Sequence, residues 1–469
     1  MLAAEDNVTM TTANSAMDGN TVIVGLGKTG LSCARYLAQK GEPFVVVDSR
    51  ANPPGLKELL SIAPNVNCYL GGFEPFVFEQ AKRLIVSPGI SVKESVIAGA
   101  KQRGAEIIGD IALFARHADA PIVAITGSNG KSTVTTMLDA MAQQAKLKVK
   151  VGGNLGVPAL DLLDKDNKTP QQPTEFYVLE LSSFQLETTP DLHAFAAVVL
   201  NVSADHMDRY ANLQEYVAAK QNIYHNCRHR VFNRDDPAVA AMITAEAAQS
   251  EDIVSFGLSA PLTELDFGVE HDGSQAWLVK GKQRLMPAEE IYLPGRHNQS
   301  NALAALALGE TMGIPMDDML SVLRSFSGLP HRMQLVATRN QVSWYNDSKG
   351  TNVGATVSAI AGMSGNKVLI AGGDGKGADF EPLREAVIAN NVRLVILIGK
   401  DAERIADVLS GVVQIERASN MYAAVALANK LAKPDEKVIL SPACASFDMF
   451  TDYQQRGEVF MEAVRNLPI

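Results

Sequence analysis

The chain has 469 residues, and this length predicts about two to four domains. Its composition, 46% hydrophobic and 20% charged, is typical of a globular protein that builds several cores. The formal net charge of −10 argues against a nucleic-acid partner, because binding a polyanion needs a basic surface. Stable membrane insertion is not expected either, since no run reaches the roughly 18–20 apolar residues that span a bilayer.

The cysteines and the first residues bear on where the protein works. Cys33, Cys68, Cys227 and Cys444 lie far apart without a C-x-x-C pair, a spacing typical of the reducing cytoplasm rather than of a disulfide framework or a structural zinc site. Residues 1–20 contain acidic side chains but no Lys, no Arg and no apolar core, so they are predicted to be a disordered extension and not a signal peptide. No pattern of an oligomer interface is found, so a monomer is the default expectation.

The rest of the chain divides into three blocks in which short apolar runs alternate with helical patterns. The predicted strands include TVIVG, FVVVD and RLIVSPG in the first block, PIVAITG, EFYVLELSS and AAVVLNVS in the second, and SWYNDS, KVLIAGG, RLVILIG and KVILSPA in the third. This alternation predicts an α/β fold with parallel sheets and helices on both faces. Ligands of such sheets bind beyond the carboxyl ends of the strands, so the loops after these runs are the candidate sites.

A glycine loop follows the first predicted strand. Gly25, Gly27 and Gly30 spell G-x-G-x-x-G, and Asp48 ends the next apolar run. The glycines let the chain turn tightly and bring a helix N-terminus to a diphosphate. Taken alone, this is the pattern of an enzyme that binds NAD, so an NAD-dependent oxidoreductase is one hypothesis.

A second glycine-rich loop, AITGSNGKST, opens the second block. Gly127 and Gly130 allow the backbone N–H groups to approach a phosphate, Lys131 supplies a positive charge, and Ser132 offers a hydroxyl to magnesium. Ile125 occupies the position of the first glycine of the strict P-loop, so the loop is a shorter variant. A plain glycine-rich connection is the alternative, but the strand–loop–helix context favours a phosphate site.

Acidic and imidazole side chains follow two further strands of the same block. Glu180 ends FYVLE, and Asp205, His206 and Asp208 follow AAVVLN. Carboxylate and imidazole groups beside nucleotide phosphates suit Mg²⁺, which takes few protein ligands in such sites. Each residue has a structural alternative when taken singly, and Asp208 is compatible with a surface ion pair or a helix cap.

Lys220 lies on the apolar face of a predicted helix in the segment NLQEYVAAKQNIY. The other residues of that face are Leu213, Tyr216, Val217, Ile223 and Tyr224. An inward lysine is unfavourable unless it is paired, modified or able to extend its ammonium to the surface. Beside Mg²⁺ a free ammonium would repel the metal, whereas a carbamylated lysine would carry negative charge and could bind it.

These motifs together resemble the ATP-dependent Mur ligases of bacterial cell-wall synthesis, and among them the type that adds D-glutamate to UDP-N-acetylmuramoyl-L-alanine. The resemblance covers nearly the whole chain after about residue 20, through the ordered motifs TGSNGKST, GGNLG, LELSSFQLE, NVSADHMDRY, AAK, LPGRHNQSN, GLPHR, NDSKGTN, GGDGKGADF and LSPACASFD. It implies three domains: a Rossmann-like UDP-substrate domain (21–110), a central P-loop-type ATPase domain with a parallel sheet (111–328), and a Rossmann-like amino-acid domain (329–469).

The resemblance also implies roles for individual residues. ATP would be bound by Gly127, Ser128, Asn129, Gly130, Lys131, Ser132, Thr133, Asn298, Asn301, Arg332 and Asp347. Mg²⁺, with Mn²⁺ as a substitute, would be bound by Ser132, Glu180, His206 and Lys220, the last as a carbamate derived from CO₂. The catalytic residues would be Lys131, Asn154, Glu180, His206, Lys220 and Arg332.

The two remaining substrates would have sites of their own. The UDP-linked substrate, UDP-N-acetylmuramoyl-L-alanine, would contact Gly27, Lys28, Thr29, Gly30, Asp48, Ser49, Arg50, Ser87, Pro88, Gly89, Asn154 and His206. D-Glutamate would contact Lys349, Thr351, Lys376, Ser446 and Tyr453. Two positions depart from the family pattern: Tyr453 replaces an expected Phe and keeps the aromatic ring, and Lys28 replaces an expected apolar residue.

The resemblance implies a reaction in two steps. The substrate carboxylate attacks the γ-phosphate of ATP to give an acyl phosphate, and the amine of D-glutamate then displaces phosphate. Because ATP and D-glutamate contacts come from different domains, the third domain is expected to close on the second, with a hinge near Gly328. Besides the NAD hypothesis, two alternatives stay open: a related ligase that uses another amino acid or folate, and an inactive scaffold of the same fold.

Overall fold

The computed structural model describes residues 21–163, 173–207, 209–243, 252–273 and 275–467. The predicted disordered extension and Asp208 lie outside this described part. The contacts divide the chain into two compact units, of which unit 1 comprises 21–116 with 158–163, and unit 2 comprises the remaining described residues. Within the described ranges, no helix combines the length and apolarity that crossing a bilayer requires.

Unit 1 contains one five-stranded sheet in which every strand pair is parallel. Its strands are β1 (Thr21–Val24), β2 (Val45–Asp48), β3 (Cys68–Leu70), β4 (Arg83–Val86) and β5 (Glu106–Ile108). Its α-helices are α1 (Lys28–Lys40), α2 (Leu56–Ile62), α3 (Pro75–Glu79), α4 (Ser95–Gln102) and α5 (Asp110–Ala115), and Ala159–Leu162 forms a 3₁₀ turn.

The strand order β3-β2-β1-β4-β5 positions the first glycine loop. The predominantly apolar runs of β1, β2 and β4 are buried almost throughout, as expected of parallel strands that are covered on both faces. β1 is the central strand, where the order reverses, and the glycine loop follows it directly. Ligands of doubly wound sheets bind at this switch point.

Unit 2 contains two sheets, and the first has nine strands in the order β14-β13-β12-β11-β10-β9-β6-β8-β7. These are β6 (Ile122–Thr126), β7 (Val149–Gly153), β8 (Phe176–Glu180), β9 (Ala196–Val199), β10 (His229–Asn233), β11 (Ile253–Phe256), β12 (Phe267–Asp272), β13 (Gln275–Lys280) and β14 (Gln283–Pro287). The helices of this part are α6 (Lys131–Gln144), α7 (Ser183–Glu187), α8 (Leu213–Gln221), α9 (Pro237–Ala240), α10 (Arg296–Thr311) and α11 (Met316–Leu323), with 3₁₀ turns at Asn222–Tyr224 and Ala288–Glu290.

The second sheet of unit 2 has six strands in the order β15-β16-β20-β17-β18-β19. These are β15 (Gln334–Arg339), β16 (Val342–Asn346), β17 (Lys367–Gly372), β18 (Val392–Ile398), β19 (Gln414–Arg417) and β20 (Lys437–Leu440). The helices are α12 (Val353–Ala361), α13 (Glu381–Ala389), α14 (Ala402–Leu409), α15 (Met421–Leu431) and α16 (Tyr453–Arg465). Separate apolar clusters pack on each side of this sheet.

The predicted α/β fold with parallel sheets is confirmed, and unit 2 adds antiparallel strands that the sequence did not predict. Strands β12 to β14 form an antiparallel meander, and β15 pairs antiparallel with β16. Several of these strands carry partly exposed or exposed residues, as in β14 and β15. They therefore lack the continuous apolar runs that identified the buried parallel strands.

The helix that carries Lys220 is shorter than its apolar pattern predicts. α8 ends at Gln221, and the chain continues as a 3₁₀ turn. Leu213, assigned to the apolar face, is 38% exposed, because it is the first residue of the helix. Lys220 itself is 1% exposed, so the prediction that it points inward is confirmed.

Candidate active site

The phosphate loop connects β6 to α6 in unit 2. Gly130 is the N-cap of α6 and has a φ of 84°, and the helix begins at Lys131. A Cβ at position 130 would lie 2.4 Å from Oδ1 of Asn301, so the position requires glycine for both backbone conformation and space. The first backbone N–H groups of α6 follow this glycine, an arrangement that suits a phosphate group.

The loop after β9 holds the phosphate loop in place. The N–H of Ser128 donates to the carbonyl of Asn201 over 2.9 Å, and the N–H of Asn129 donates to its side-chain oxygen over 2.8 Å. The hydroxyl of Ser128 donates to the carbonyl of Ser203 over 2.9 Å and lies 3.1 Å from the hydroxyl of Tyr216. These bonds fix the loop before any ligand binds.

Two lysines converge beneath the phosphate loop. Nζ of Lys131 donates to the carbonyls of Gly127 over 2.8 Å and Ser128 over 3.1 Å. Nζ of Lys220 donates to the same Gly127 carbonyl over 2.9 Å and lies 4.5 Å from the centroid of the Tyr216 ring. Burial lowers the pKa of Lys220 well below its ordinary value, and the charge of Lys131 lowers it further.

Glu180 and Asn154 form a buried pair at the carboxyl ends of β8 and β7. The side-chain amide of Asn154 donates to Oε1 of Glu180 over 2.8 Å, and its backbone N–H donates to the Glu180 carbonyl over 2.8 Å. Oε2 of Glu180 is buried and has no hydrogen-bond partner among the described residues. A buried carboxylate oxygen without a donor fits a bound cation.

His206 lies in the loop after β9 with a φ of 58°. Its Nε2 is 3.7 Å from Oδ2 of Asp205, and its ring meets the edge of the Phe184 ring at a centroid distance of 4.8 Å. In the described part of the chain, no three His, Cys, Asp or Glu side chains form a group that could hold a metal. The predicted magnesium ligands include only two such residues, so the set depends on Ser132 and on modified Lys220.

The second sheet of unit 2 contributes side chains to the same place. Nη2 of Arg332 donates to the hydroxyl of Ser132 over 3.1 Å. A cavity of about 360 Å³ lies between these parts. The predicted ATP-binding residues that line it are Asn129, Gly130, Thr133, Asn298, Asn301, Arg332 and Asp347, and Lys349 lines it as well.

Asp347 lies at the carboxyl end of β16 and is 7% exposed. Burial raises the pKa of its carboxyl to about 6, although hydrogen bonds oppose this rise. The hydroxyl of Ser441 donates to Oδ2 over 2.7 Å, and the N–H of Met333 donates to Oδ1 over 3.2 Å. Asp347 therefore changes charge nearer to neutral pH than an ordinary carboxyl does.

The residues predicted to bind D-glutamate lie on neighbouring loops of the second sheet. Nζ of Lys349 lies 3.9 Å from the centroid of the Tyr453 ring. The chain around Lys376, which has a φ of 50°, is joined to the chain around Ser446 by a pair of hydrogen bonds between Asp374 and Ala445. Thr351 follows Lys349 and donates its N–H to the Lys349 carbonyl over 2.8 Å.

Arg456 organises these loops and was not identified from the sequence. It is 1% exposed and forms no ion pair with a carboxylate in the described part of the chain. Its guanidinium donates to the hydroxyl of Ser348 over 3.0 Å, the carbonyl of Ser348 over 2.8 Å and the carbonyl of Cys444 over 3.0 Å. The hydroxyl of Ser348 in turn donates to the Tyr453 carbonyl over 2.7 Å. Nothing in the spacing of Arg456 along the chain marks this role.

In unit 1 the residues predicted to bind the diphosphate lie in the segments that directly follow β1, β2 and β4. A Cβ on Gly30 would lie 1.9 Å from the carbonyl oxygen of Gly25, so α1 approaches the glycine loop more closely than any side chain permits. Lys28 and Thr29 lie in the first turn of α1, Ser49 follows β2, and Ser87, Pro88 and Gly89 follow β4.

Asp48 of unit 1 is not a free acceptor. The N–H of Leu26 donates to its Oδ2 over 2.7 Å, and the guanidinium of Arg50 binds both carboxylate oxygens over 2.8 and 2.7 Å. Burial would raise the pKa of Asp48, but the bonds from Arg50 and Leu26 outweigh it and lower the pKa to about 2. In NAD enzymes an acid at this position accepts hydrogen bonds from the ribose hydroxyls. Both carboxylate oxygens of Asp48 already accept hydrogen bonds from the protein, which argues against that role here.

Family models match three consecutive parts of the chain. The Mur ligase MurD-like N-terminal domain matches residues 19–109, the Mur ligase middle domain matches 125–309, and the Mur ligase glutamate ligase domain matches 331–444. Two solved structures share the fold. These are the ligase MurC of Thermotoga maritima, with a TM-score of 0.57 at 17% identity over 95% of this chain and 99% of that one, and a type C pseudomurein peptide ligase of Methanothermus fervidus, with a TM-score of 0.58 at 18% identity over 90% and 97%.

Curated sequences are much more similar. The UDP-N-acetylmuramoylalanine–D-glutamate ligase of Marinobacter nauticus is 52% identical over 96% of this chain and 99% of its own length. The protein of the same name from Pseudomonas aeruginosa is 49% identical over 96% of this chain and 99% of its own length. The chain therefore belongs to the Mur ligase family.

Proposed function

We propose that this protein joins D-glutamate to UDP-N-acetylmuramoyl-L-alanine in an ATP-dependent reaction that builds a peptidoglycan precursor. Relatives that are 49–52% identical over nearly the whole chain are named for this activity. The structural observation that carries the proposal is the cavity in unit 2 where the phosphate loop, α10 and the loops of the second sheet meet. Residues predicted to bind ATP line this cavity together with Lys349, which is predicted to bind D-glutamate, and this supports a reaction that joins the two substrates.

The proposed chemistry has two steps. The carboxylate of the L-alanyl group attacks the γ-phosphorus of ATP, so that an acyl phosphate forms and ADP leaves. The neutral amine of D-glutamate then attacks the acyl carbon and forms the new C–N bond, the bond from this carbon to the phosphate oxygen breaks with its electron pair leaving on phosphate, and the nitrogen releases one proton to solvent. Both steps bring anions together, and Lys131 and Arg332 supply the fixed positive charges that stabilise them.

Magnesium fits the residues present. Glu180 offers a buried oxygen without a donor, Ser132 offers a hydroxyl at the start of α6, and His206 offers an imidazole. When bound there, Mg²⁺, or Mn²⁺ in its place, would neutralise charge on the ATP phosphates. Asn154 positions Glu180 for this role, because it holds the other carboxylate oxygen.

Lys220 is proposed to be carbamylated by CO₂. Its amine is buried, forms no ion pair with a carboxylate in the described part of the chain, and shares its acceptor with Lys131. A neutral amine attacks CO₂, loses a proton and becomes a carbamate with one negative charge. That charge would remove the repulsion between the two lysines and would provide a ligand for magnesium.

The remaining residues complete the proposal. Lys349, Thr351, Lys376, Ser446 and Tyr453 would bind D-glutamate, and unit 1 would hold the UDP group through the glycine loop and the loops after β2 and β4. The proposed division into domains is 21–110 for the UDP substrate, 111–328 for ATP and 329–469 for D-glutamate. The proposed location is the cytoplasm, with a monomer as the working state.

Phosphate release tests the proposal. The protein is mixed with ATP, Mg²⁺ and UDP-N-acetylmuramoyl-L-alanine, and D-glutamate, L-glutamate, L-lysine or diaminopimelate is added in separate assays. We expect release with D-glutamate alone, and none when the UDP substrate is omitted. Release with L-lysine or diaminopimelate instead would assign the chain to another ligase of the family. NADH fluorescence provides a parallel check, in which saturable binding would favour an oxidoreductase.

A further inference from the structure

Helix α12 of the second sheet reaches the phosphate loop through its N-cap residue. Oδ1 of Asn352 accepts the N–H of Ala355 over 2.8 Å and so caps the helix. Its Nδ2 donates to Oδ2 of Asp205 over 3.0 Å and lies 3.4 Å from Oδ1 of Asn129. The Asn352 side chain thus contacts both the phosphate loop and the loop after β9. Asn352 itself lies beside the second sheet, whose loops carry the residues predicted to bind D-glutamate.

Asp205 contacts both Asn352 and His206 and so connects them. Oδ1 of Asp205 accepts the backbone N–H of His206 over 2.9 Å, and Oδ2, which receives the Asn352 amide, lies 3.7 Å from Nε2 of the imidazole. The left-handed backbone of His206, with a φ of 58°, needs such a support because it is a strained conformation for a residue with a side chain.

Gly354 permits the close approach of α12. A Cβ at this position would lie 2.9 Å from Oγ of Ser203 and 3.5 Å from Nδ2 of Asn129. Gly354 is the second residue of α12, a position where the helix itself does not require glycine. The glycine is therefore explained by the contact with the neighbouring loops and not by the helix.

We propose that Asn352 is a positioning residue that couples the ATP site to the D-glutamate site, by tying the phosphate loop and Asp205 to the helix that follows Thr351. This inference rests on the proposed function. It is distinct from binding either substrate, because the Asn352 amide is already engaged by protein groups. If one conformation of the loops that Asn352 ties together favours the binding of both ATP and D-glutamate, each substrate strengthens the binding of the other by the same factor.

The experiment measures KM for D-glutamate by phosphate release at ATP concentrations well below and well above its own KM. In the wild-type protein we expect KM to fall by about 5- to 50-fold at high ATP. Asn352→Asp keeps the helix cap, since Asp caps as well as Asn, but it loses the donor and places a carboxylate beside Asp205. We expect KM in this variant to be independent of ATP.

Asn420→Asp is the matched control, because Asn420 caps α15 through the N–H of Ala423 over 2.9 Å at an exposed site. If Asn352 were only a helix cap, Asn352→Asp would behave like Asn420→Asp, and the inference would be wrong. If wild-type protein released no phosphate with D-glutamate, the proposed function itself would fail, so the two failures differ.

A second variant tests the approach of α12 separately. Gly354→Ala is expected to leave the helix as stable as before or more so, yet to weaken the ATP dependence of KM for D-glutamate, because the new methyl group meets Ser203. The double variant Ser203→Ala/Gly354→Ala removes the hydroxyl that the new methyl group would meet. Its KM for D-glutamate should therefore depend on ATP more strongly than in Gly354→Ala, and the single variant Ser203→Ala gives the reference value. A normal ATP dependence in Gly354→Ala would contradict the proposed approach.

Discussion

The amines of Lys131 and Lys220 donate to one oxygen, the carbonyl of Gly127, over 2.8 and 2.9 Å. Two ammonium groups that share one acceptor repel each other, and the repulsion is strong because burial excludes water. Burial lowers the pKa of Lys131, and burial together with the charge of Lys131 lowers the pKa of Lys220. The arrangement favours a state in which only Lys131 is positive, and carbamylation of Lys220 would produce that state.

Replacing Lys220 tests the carbamate. Lys220→Ala should reduce phosphate release by at least about 100-fold, since it removes the proposed metal ligand. Acetate or formate should restore part of the activity by supplying a carboxylate in the space left by the side chain. Lys150→Ala is the control, because Lys150 also lies near a tyrosine ring, at 5.9 Å, but on β7. Full activity in Lys220→Ala, or a lack of ¹³CO₂ incorporation by NMR, would refute the modification.

The raised pKa of Asp347 should make the free energy of unfolding depend on pH. Its folded pKa of about 6 lies above the ordinary value of 3.8, so its contribution to stability is full at low pH and is lost as the pH rises through about 6. Asp347→Asn should therefore gain about 1–2 kcal/mol relative to wild type between about pH 5 and about pH 8, because the rest of the loss occurs between the ordinary pKa of 3.8 and pH 5. Thermal unfolding at the two pH values measures this change.

Asp48→Asn is the control for the Asp347 experiment. The pKa of Asp48 is about 2, so this carboxyl stays ionised across the same pH window. Its stabilising contribution is present above its unfolded pKa and is lost only as the pH falls towards 2. The difference between wild type and Asp48→Asn should thus be the same at both pH values. An equally constant difference for Asp347→Asn would show that Asp347 is not perturbed.

Tyr453 should act through its ring and not through its hydroxyl. The Lys349 ammonium lies 3.9 Å from the ring centroid, and such cation–π contacts contribute about 0.5–2 kcal/mol. Tyr453→Phe is expected to change KM for D-glutamate less than about 3-fold, whereas Tyr453→Leu should raise it by about 3- to 30-fold. The same steady-state assay measures both. A large effect of Tyr453→Phe would assign the hydroxyl a direct role.

Arg456 should affect D-glutamate more than ATP. It binds the Ser348 and Cys444 segments with three hydrogen bonds, and each bond from a charged donor contributes about 1.5–3 kcal/mol. Arg456→Lys keeps the charge but cannot form all three bonds, so KM for D-glutamate should rise about 10-fold or more while KM for ATP changes little. Arg465→Lys, at the end of α16, is the control. Equal changes in both KM values would indicate a general loss of folding.

Local motifs made the phosphate loop predictable. Its glycines, Lys131 and Ser132 are consecutive in the chain, and a strand and a helix must flank them. The buried parallel strands were equally evident, because both of their faces are covered and their runs are apolar. The antiparallel strands β12 to β15 escaped prediction since their partly exposed faces leave no continuous apolar signal.

The sequence by itself determined the class of fold, the phosphate loop and the inward direction of Lys220, because each is predicted from patterns within short continuous segments of the chain. Only the tertiary structure decided which distant groups meet. Asn352 contacts Asn129 across 223 residues of sequence, and Lys220 shares an oxygen with Lys131 because α8 packs beneath the phosphate loop. Such contacts arise from the packing of whole sheets and helices, and pairs so far apart leave no periodic trace in the chain.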